Sequence, residues 1–68
     1  MDFKISLKAA RVNANLSQSD VAKRMGKSKM TINHWENGKS AIDFGNFTAL
    51  CLLYKINPEF VFMPMKST

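Results

Sequence analysis

The sequence lacks the residues of a disulfide-rich, metal-binding or membrane-spanning protein. Its 68 residues include a single cysteine, Cys51, and a single histidine, His34. One cysteine forms no internal disulfide, and a structural zinc site usually takes four Cys or His ligands. No apolar run approaches the ~18 residues of a membrane helix, and the N-terminal residues lack the apolar segment of a signal peptide. These absences predict a cytoplasmic protein that holds no metal and no cofactor.

Catalytic groups are also scarce. Five acidic residues are spread along the chain, and the glycines at 26, 38 and 45 do not have the spacing of a phosphate-binding loop. A chain of this length buries only about 60% of its unfolded surface, which leaves little core for an enclosed substrate cavity. We therefore expect one small domain over 1–68 that is not an enzyme.

Positive charge, by contrast, is abundant and unevenly distributed. Ten Lys and Arg stand against five Asp and Glu, which gives a net charge of +5 and a pI near 9.7. Residues 1–40 hold eight of the basic residues and three of the acidic ones, whereas 41–68 hold two of each. A basic domain is typical of nucleic-acid binding, although a solvated basic surface with no partner explains the charge equally well. The distribution suggests a binding half and an apolar half used for packing or association.

Helix signals recur along the chain and predict an all-α fold of five short helices. The first helix is expected over 3–14, where the apolar residues share one stripe, and Asn15 can take the left-handed conformation that ends it. Ser17 is expected to cap a second helix, with Asp20 three residues on, and Gly26 to end it. The apolar stripe of the first helix consists of Phe3, Leu7, Ala10 and Ala14.

The next segments complete a helix-turn-helix pattern over 17–36. Ser28 is expected to cap a third helix over 29–36 after a short glycine-containing turn, the arrangement of that motif. Asp43 can cap a fourth helix over 44–54. Asn57 and Pro58 open a short fifth helix, with proline at the first position, where no amide partner is needed.

The third helix has two different faces. At about 100° per residue, Ile32 and Trp35 lie on one side, as expected of core residues. The opposite face carries hydrogen-bond donors, an acceptor and one apolar tip, but no acid. Such side chains suit the base edges of the DNA major groove, which admits an α-helix, although any exposed helix face is also polar. The residues on this opposite face are Lys29, Met30, Asn33 and His34.

Phosphate contacts are expected beside this face. Gln18 begins the second helix, and the free amides at a helix N-terminus attract anions. The third helix is followed by the polar loop Asn37-Gly38-Lys39-Ser40. A loop of donors with one lysine fits docking to a DNA backbone, although the same Asn-Gly pair also suits a plain turn.

These segments resemble the phage repressor and Cro family of helix-turn-helix proteins. The resemblance rests on LSQSDVAKRMG at 16–26, on Ser28 and Ile32, and on WENGK at 35–39. It extends over about 3–62 and implies a five-helix, lambda-repressor-like domain. Such a domain binds double-stranded operator DNA as a dimer, so the function implied is sequence-specific transcription regulation at a palindromic operator.

The resemblance also implies roles for individual residues. The residues implied at or near base edges are Ser28, Lys29, Met30, Asn33 and His34. Those implied or expected to contact phosphate are Gln18, Asn37, Lys39, Arg11, Ser17, Lys27 and Ser40. Arg11 is further implied to form an exposed ion pair with Glu36 that orients two helices. Lys55 stands where the family often has the glycine that ends the fourth helix, which leaves that boundary open.

The apolar half provides a core and an apolar surplus. On the fourth helix, the expected core residues are Phe47, Leu50, Cys51 and Tyr54, and Cys51 is expected to be an inert buried thiol rather than a redox switch. Ile56 and Phe60 are expected to fill the core from the fifth helix. The surplus apolar residues are Leu52, Phe62, Met63 and Met65.

An apolar surplus in so small a domain suggests an association surface. We expect a homodimer contact at the end of the fourth helix, the fifth helix and the apolar tail over 57–68. The alternative is a tail folded back over its own core. A different alternative for the function is an antitoxin, since antitoxins of toxin–antitoxin pairs also resemble this family and bind a toxin protein as well as their own operator.

Overall fold

Four short α-helices and one turn of 3-10 helix follow one another in the computed structural model, which describes residues 3–64. The predicted all-α class is confirmed over these residues, whereas the predicted count of five helices is not, because the fifth is a single 3-10 turn. The helices are α1 (Leu7–Asn13), α2 (Gln18–Met25), α3 (Lys29–Glu36) and α4 (Phe44–Leu53), and the 3-10 turn is Pro58–Phe60.

Each α-helix begins at a side-chain cap. In α2 the cap is reciprocal, because Ser17 Oγ accepts from the Asp20 amide at 3.0 Å and Asp20 Oδ2 accepts from the Ser17 amide at 2.9 Å. The bonds from Ser17 lower the pKa of the Asp20 carboxyl below its ordinary value. The caps predicted for the second, third and fourth helices are confirmed. The four cap residues are Ser6, Ser17, Ser28 and Asp43.

Each α-helix also ends at a residue in the left-handed conformation. At the end of α4, the Lys55 amide donates to the Leu52 carbonyl at 3.1 Å and the Ile56 amide donates to the Cys51 carbonyl at 3.0 Å. This pair of bonds is the Schellman motif, which provides partners for helix-end carbonyls. The left-handed residues are Asn15, Gly26, Gly38 and Lys55, with φ of 60°, 67°, 69° and 58°.

The first helix is shorter than predicted. It begins at Leu7, and the residues before Ser6 are extended. Ile5 forms an isolated parallel bridge with Val61, in which the Ile5 amide donates to the Phe60 carbonyl at 2.8 Å. Phe3, which periodicity placed on the apolar stripe, therefore lies outside the helix and is exposed.

The predicted fifth helix is a single 3-10 turn. Asn57 Oδ1 accepts from the Glu59 amide at 3.0 Å, and proline occupies the first position, as the sequence predicted. The chain then becomes extended at Val61, which is buried. Phe60 was expected in the core but is 46% exposed, because Val61 takes that place.

The core lies between the four helices and includes the residues predicted for the third and fourth helices. Cys51 is fully buried, and burial raises the pKa of its thiol, as expected of an inert structural cysteine. Met63 packs against the core rather than being surplus, and Met65 lies outside the described residues. The buried apolar residues are Leu7, Ala10, Val21, Ala22, Ile32, Trp35, Ile42, Phe47, Leu50, Cys51, Tyr54 and Val61.

The left-handed Lys55 gives a first prediction. A lysine pays a steric cost in this conformation that glycine does not, so Lys55→Gly should stabilise the fold by about 0.5–1 kcal/mol. Urea unfolding measures the change. Asn15→Gly is the matched control at the end of α1, where asparagine already tolerates a positive φ, and it should change the free energy of unfolding by less than about 0.5 kcal/mol. Equal effects at both positions would contradict the interpretation.

Candidate nucleic-acid interface

The outward face of α3 and the start of α2 enclose an open concavity of about 410 Å³. On the other side of α3, Ile32 is 0% and Trp35 7% exposed, so these two side chains anchor the helix in the core. The outward orientation that periodicity predicted is therefore observed. The concavity is lined by Gln18, Lys29, Met30, Asn33 and His34.

The turn between α2 and α3 sets the geometry of this face. Gly26 has φ of 67°, and a Cβ built there would meet nothing within 4 Å, so the need for glycine comes from backbone conformation alone. Lys27 is exposed in the turn. Ser28 Oγ accepts from the Thr31 amide at 3.1 Å and lies 2.9 Å from Thr31 Oγ1, so this hydroxyl already serves as the cap of α3.

A buried carboxylate joins α1, α2 and α3 behind the concavity. Arg11 Nε donates to Glu36 Oε2 at 2.7 Å and Arg11 Nη2 donates to Oε1 at 3.3 Å. Gln18 Nε2 donates to the same Oε1 at 3.0 Å. The implied Arg11–Glu36 pair is therefore present, but the expectation that it is exposed is wrong, because the two side chains are 10% and 3% exposed.

The Arg11–Glu36 pair influences the pKa values of two groups. The hydrogen bond to Glu36 raises the pKa of the Arg11 guanidinium above its ordinary value. Burial and the nearby negative charge of Glu36 raise the pKa of Tyr54 to about 12, and the Tyr54 hydroxyl has no hydrogen-bond partner among residues 3–64. Since Arg11 also donates from Nη1 to the Leu16 carbonyl at 2.9 Å, its donors face inward. A phosphate contact by Arg11 stays a prediction that this geometry does not favour.

Asn37 is bonded to α3 itself. Its Nδ2 lies 3.0 Å from the Asn33 carbonyl oxygen and 3.2 Å from Asn33 Oδ1. Its backbone amide also donates to the Asn33 carbonyl, at 3.1 Å. This contact was not predicted, although residues four apart on a helix are neighbours. The bond between Gln18 and Glu36 was not predicted either, since the sequence carries no local signal for it.

The other residues predicted to contact phosphate surround the concavity without lining it. Ser17 begins α2, and its hydroxyl oxygen accepts from the Asp20 amide. Lys39 and Ser40 follow α3, where Lys39 is exposed and Ser40 half-buried. The structure thus brings together the residues predicted for base readout, except Ser28, and places positive charge beside them. That any of these residues contacts DNA stays a prediction.

No group of three or more His, Cys, Asp or Glu side chains among residues 3–64 is placed to hold a metal ion. None of the helices described is both long and apolar enough to cross a membrane.

An exposed polar helix that is held by a second helix across a short turn is the architecture of helix-turn-helix DNA-binding proteins. A family model described as helix-turn-helix matches residues 7–61, and the chain belongs to this family, of the Cro/C1 type. The family is one of DNA-binding regulators of transcription and not of enzymes. No curated protein and no solved structure matches the chain significantly.

The buried ion pair gives a second prediction. Arg11→Met leaves the Glu36 carboxylate buried without its charged partner, so the free energy of unfolding should fall by about 3–5 kcal/mol. The double variant Arg11→Met/Glu36→Met removes both charges and should recover most of that loss. Urea or thermal unfolding at neutral pH measures both. A single variant as stable as the parent protein would contradict the burial of the pair.

Proposed function

We propose that the protein regulates transcription by binding a palindromic DNA operator as a homodimer. The observation that carries the proposal is the concavity in front of α3, which presents basic, amide and imidazole groups together with one apolar tip and no acid. The net charge of +5 favours approach to a polyanion. Membership of a family of DNA-binding regulators supports the class of function.

Base readout would come from the exposed end of α3. Lys29 is at the first position of the helix and can donate to guanine O6 and N7. Met30, which is 66% exposed, can rest on a thymine methyl group. His34, one turn further along the concavity, can donate or accept. Ser28 precedes Lys29 and is exposed. Because its hydroxyl oxygen already accepts from the Thr31 amide, a contact between this hydroxyl and a base edge would be made while Ser28 also caps α3.

Phosphate contacts would hold α3 in register. Gln18 is the first residue of α2, where backbone amides have no partner within the helix and can bind an anion. Ser17 beside it keeps a hydroxyl hydrogen to donate. Lys27 in the turn and Lys39 after α3 supply charge on either side. Such contacts fix the orientation of the protein on a duplex but carry no sequence information.

The two kinds of contact predict different responses to substitution. On an operator selected from random duplexes, Lys29→Ala should cost about 1–3 kcal/mol and relax the preference at one base pair. Gln18→Ala removes the second hydrogen of Nε2, which the bond to Glu36 leaves available for a phosphate, and should weaken binding to specific and random DNA nearly alike, because a phosphate is present in every sequence. Fluorescence anisotropy at several salt concentrations measures both affinities, with an expected log–log slope near −0.9 per phosphate neutralised.

Three outcomes of this experiment would contradict the proposal or part of it. Equal losses on specific and random DNA for Lys29→Ala would remove Lys29 from base readout. A sequence-dependent loss for Gln18→Ala would remove Gln18 from the phosphate contacts. Failure of the parent protein to bind any duplex at low ionic strength would overturn the proposed function as a whole.

The dimer contact that we propose lies on the outward face of α4. Residues 44–54 contain no charged side chain, and Leu52 is 81% exposed at the end of the helix. Leu52 borders an apolar groove of about 380 Å³, so one face carries both a projecting side chain and a groove to receive it. A two-fold dimer needs such self-complementarity. The groove is lined by Gly45, Thr48, Ala49, Leu52, Ile56 and Pro58.

The dimer predicts that one exposed leucine governs binding to a palindrome. Leu52→Glu should leave the fold intact, because the side chain is exposed, but should make the protein monomeric at micromolar concentration in sedimentation analysis. Affinity for the full palindrome should fall about tenfold or more, while affinity for a half-site is retained. Val12→Glu is the matched control, since Val12 is 54% exposed on α1. The same effect from both variants, or from neither, would contradict the proposed interface.

The antitoxin alternative shares the same DNA interface and adds a toxin protein as partner. The exposed aromatic side chains of Phe44, Phe60 and Phe62 are surfaces that such a partner would cover. Co-expression with the product of a neighbouring gene distinguishes the two functions. A stable complex that relieves growth arrest would favour the antitoxin, whereas operator binding without any such complex would favour the regulator.

A further inference from the structure

Asn37 and Gly38 are the one place in the sequence where an asparagine precedes a glycine. An asparagine loses ammonia when the backbone nitrogen of the next residue attacks its side-chain carbonyl carbon. The attack meets least hindrance from a glycine nitrogen, because glycine has no Cβ. Asn37 is therefore the asparagine most open to this reaction. The other five asparagines precede Ala14, Leu16, His34, Phe47 and Pro58.

The end of α3 leaves both reacting groups accessible. Asn37 is the C-cap residue of α3 and is exposed, so water can reach it. The Gly38 amide donates to the Trp35 carbonyl at 3.4 Å, which is beyond the usual range of such bonds. The Lys39 amide, by comparison, donates to the His34 carbonyl at 2.9 Å. The nitrogen that would attack is thus held more weakly than the one that follows it.

One contact opposes the reaction in the free protein. Asn37 Nδ2 lies 3.0 Å from the Asn33 carbonyl oxygen and 3.2 Å from Asn33 Oδ1. These bonds direct the carboxamide back along α3, whereas the Gly38 nitrogen lies on the other side of Asn37 along the chain. The carboxamide must leave Asn33 before it can meet that nitrogen. Opening of the last turn of an exposed helix takes little free energy, so the contact slows the reaction without preventing it.

We propose that Asn37 is a deamidation site, that its reaction weakens DNA binding, and that bound DNA protects it. The first part of this inference concerns the chain alone, whereas the other two rest on the proposed binding of operator DNA.

The reaction needs only water and hydroxide. The Gly38 nitrogen loses its proton to hydroxide and forms a bond to Asn37 Cγ, while the bond from Cγ to Nδ2 breaks and the Nδ2 group takes up a proton and leaves as ammonia. Water then opens the five-membered imide at either of its two carbonyl carbons. The product is an aspartate or an isoaspartate at position 37. One water is consumed, one ammonia is released, and a neutral amide becomes a carboxylate with no change of oxidation state.

The product changes the DNA-facing end of α3. A carboxylate only accepts hydrogen bonds, so the bond to the Asn33 carbonyl is lost, and a negative charge at the C-terminal end of a helix is unfavourable. The same charge repels the phosphates that the loop after α3 is proposed to contact, whatever the sequence. A duplex seated on this loop would hold the last turn of α3 closed, and the reaction would slow in the complex.

The experiment follows each asparagine over time. The parent protein is incubated at mildly alkaline pH with and without a saturating operator selected from random duplexes, and peptide mapping by mass spectrometry measures deamidation. Asn37 should deamidate several-fold faster than any other asparagine in the free protein, and more slowly with operator bound. Affinity of the free sample for specific and random DNA should fall about tenfold or more as Asn37 is converted.

Two variants at position 37 serve as controls. Asn37→Asp has the charge of one product from the start, so its affinity should already be low and should not fall further. Asn37→Gln keeps a neutral carboxamide, and its longer side chain forms the corresponding six-membered imide far more slowly. This variant should keep its own starting affinity through the same incubation. Circular dichroism confirms that both variants and the incubated parent protein are folded.

The inference and the proposed function fail in different ways. A rate at Asn37 no higher than at another asparagine would overturn the assignment of the site. Full affinity in the deamidated protein, or the same rate with and without operator, would overturn its link to DNA binding. A parent protein that binds no DNA when fresh would overturn the proposed function and that link together, whereas the mass spectra would still decide whether Asn37 is the reactive asparagine.

Discussion

Three of the four α-helices described meet at one carboxylate, and the position of the concavity in front of α3 depends on it. Glu36 ends α3, and its buried oxygens accept hydrogen bonds from Arg11 on α1 and from Gln18 at the start of α2. A buried carboxylate destabilises the fold by several kcal/mol unless it is paired and hydrogen-bonded. A shift of any one of these helices would break bonds to Glu36 and leave its charge without compensation. The surfaces proposed to read bases and to bind phosphate are thus held in mutual position within the free protein, which would reduce the ordering that DNA binding requires.

Much of the helix pattern could be predicted because its signals are local. Ser17, Ser28 and Asp43 accept hydrogen bonds from amides three residues away, and Gly26 ends α2 through its own backbone conformation. The outward face of α3 was predictable for a related reason. Ile32 and Trp35 mark the core-facing side, and the rotation of about 100° per residue then gives the residues on the opposite side. Predictions that depended on residues within one or two helical turns of each other are therefore confirmed by the structure.

The features that could not be predicted depend on contacts between distant parts of the chain. Periodicity placed Phe3 in the first helix, but the pairing of Ile5 with Val61 draws that segment into an extended conformation and also stops the fifth helix after one turn. The bond from Gln18 to Glu36 joins two helices and has no sequence pattern. The direction of the Asn33 amide requires coordinates, since composition names a side chain that can donate or accept without saying which it does.

The bridge between residues 5 and 61 also determines where further polypeptide would leave the domain. Because the two segments run side by side and in parallel, the chain enters the pairing at one end and leaves it at the other. A label or domain fused before residue 3 and one fused after residue 64 would therefore start from opposite ends of the pairing. A flexible tether that joined the two ends would have to span the length of the pairing, which favours attachment at a single end in any immobilised form of the protein.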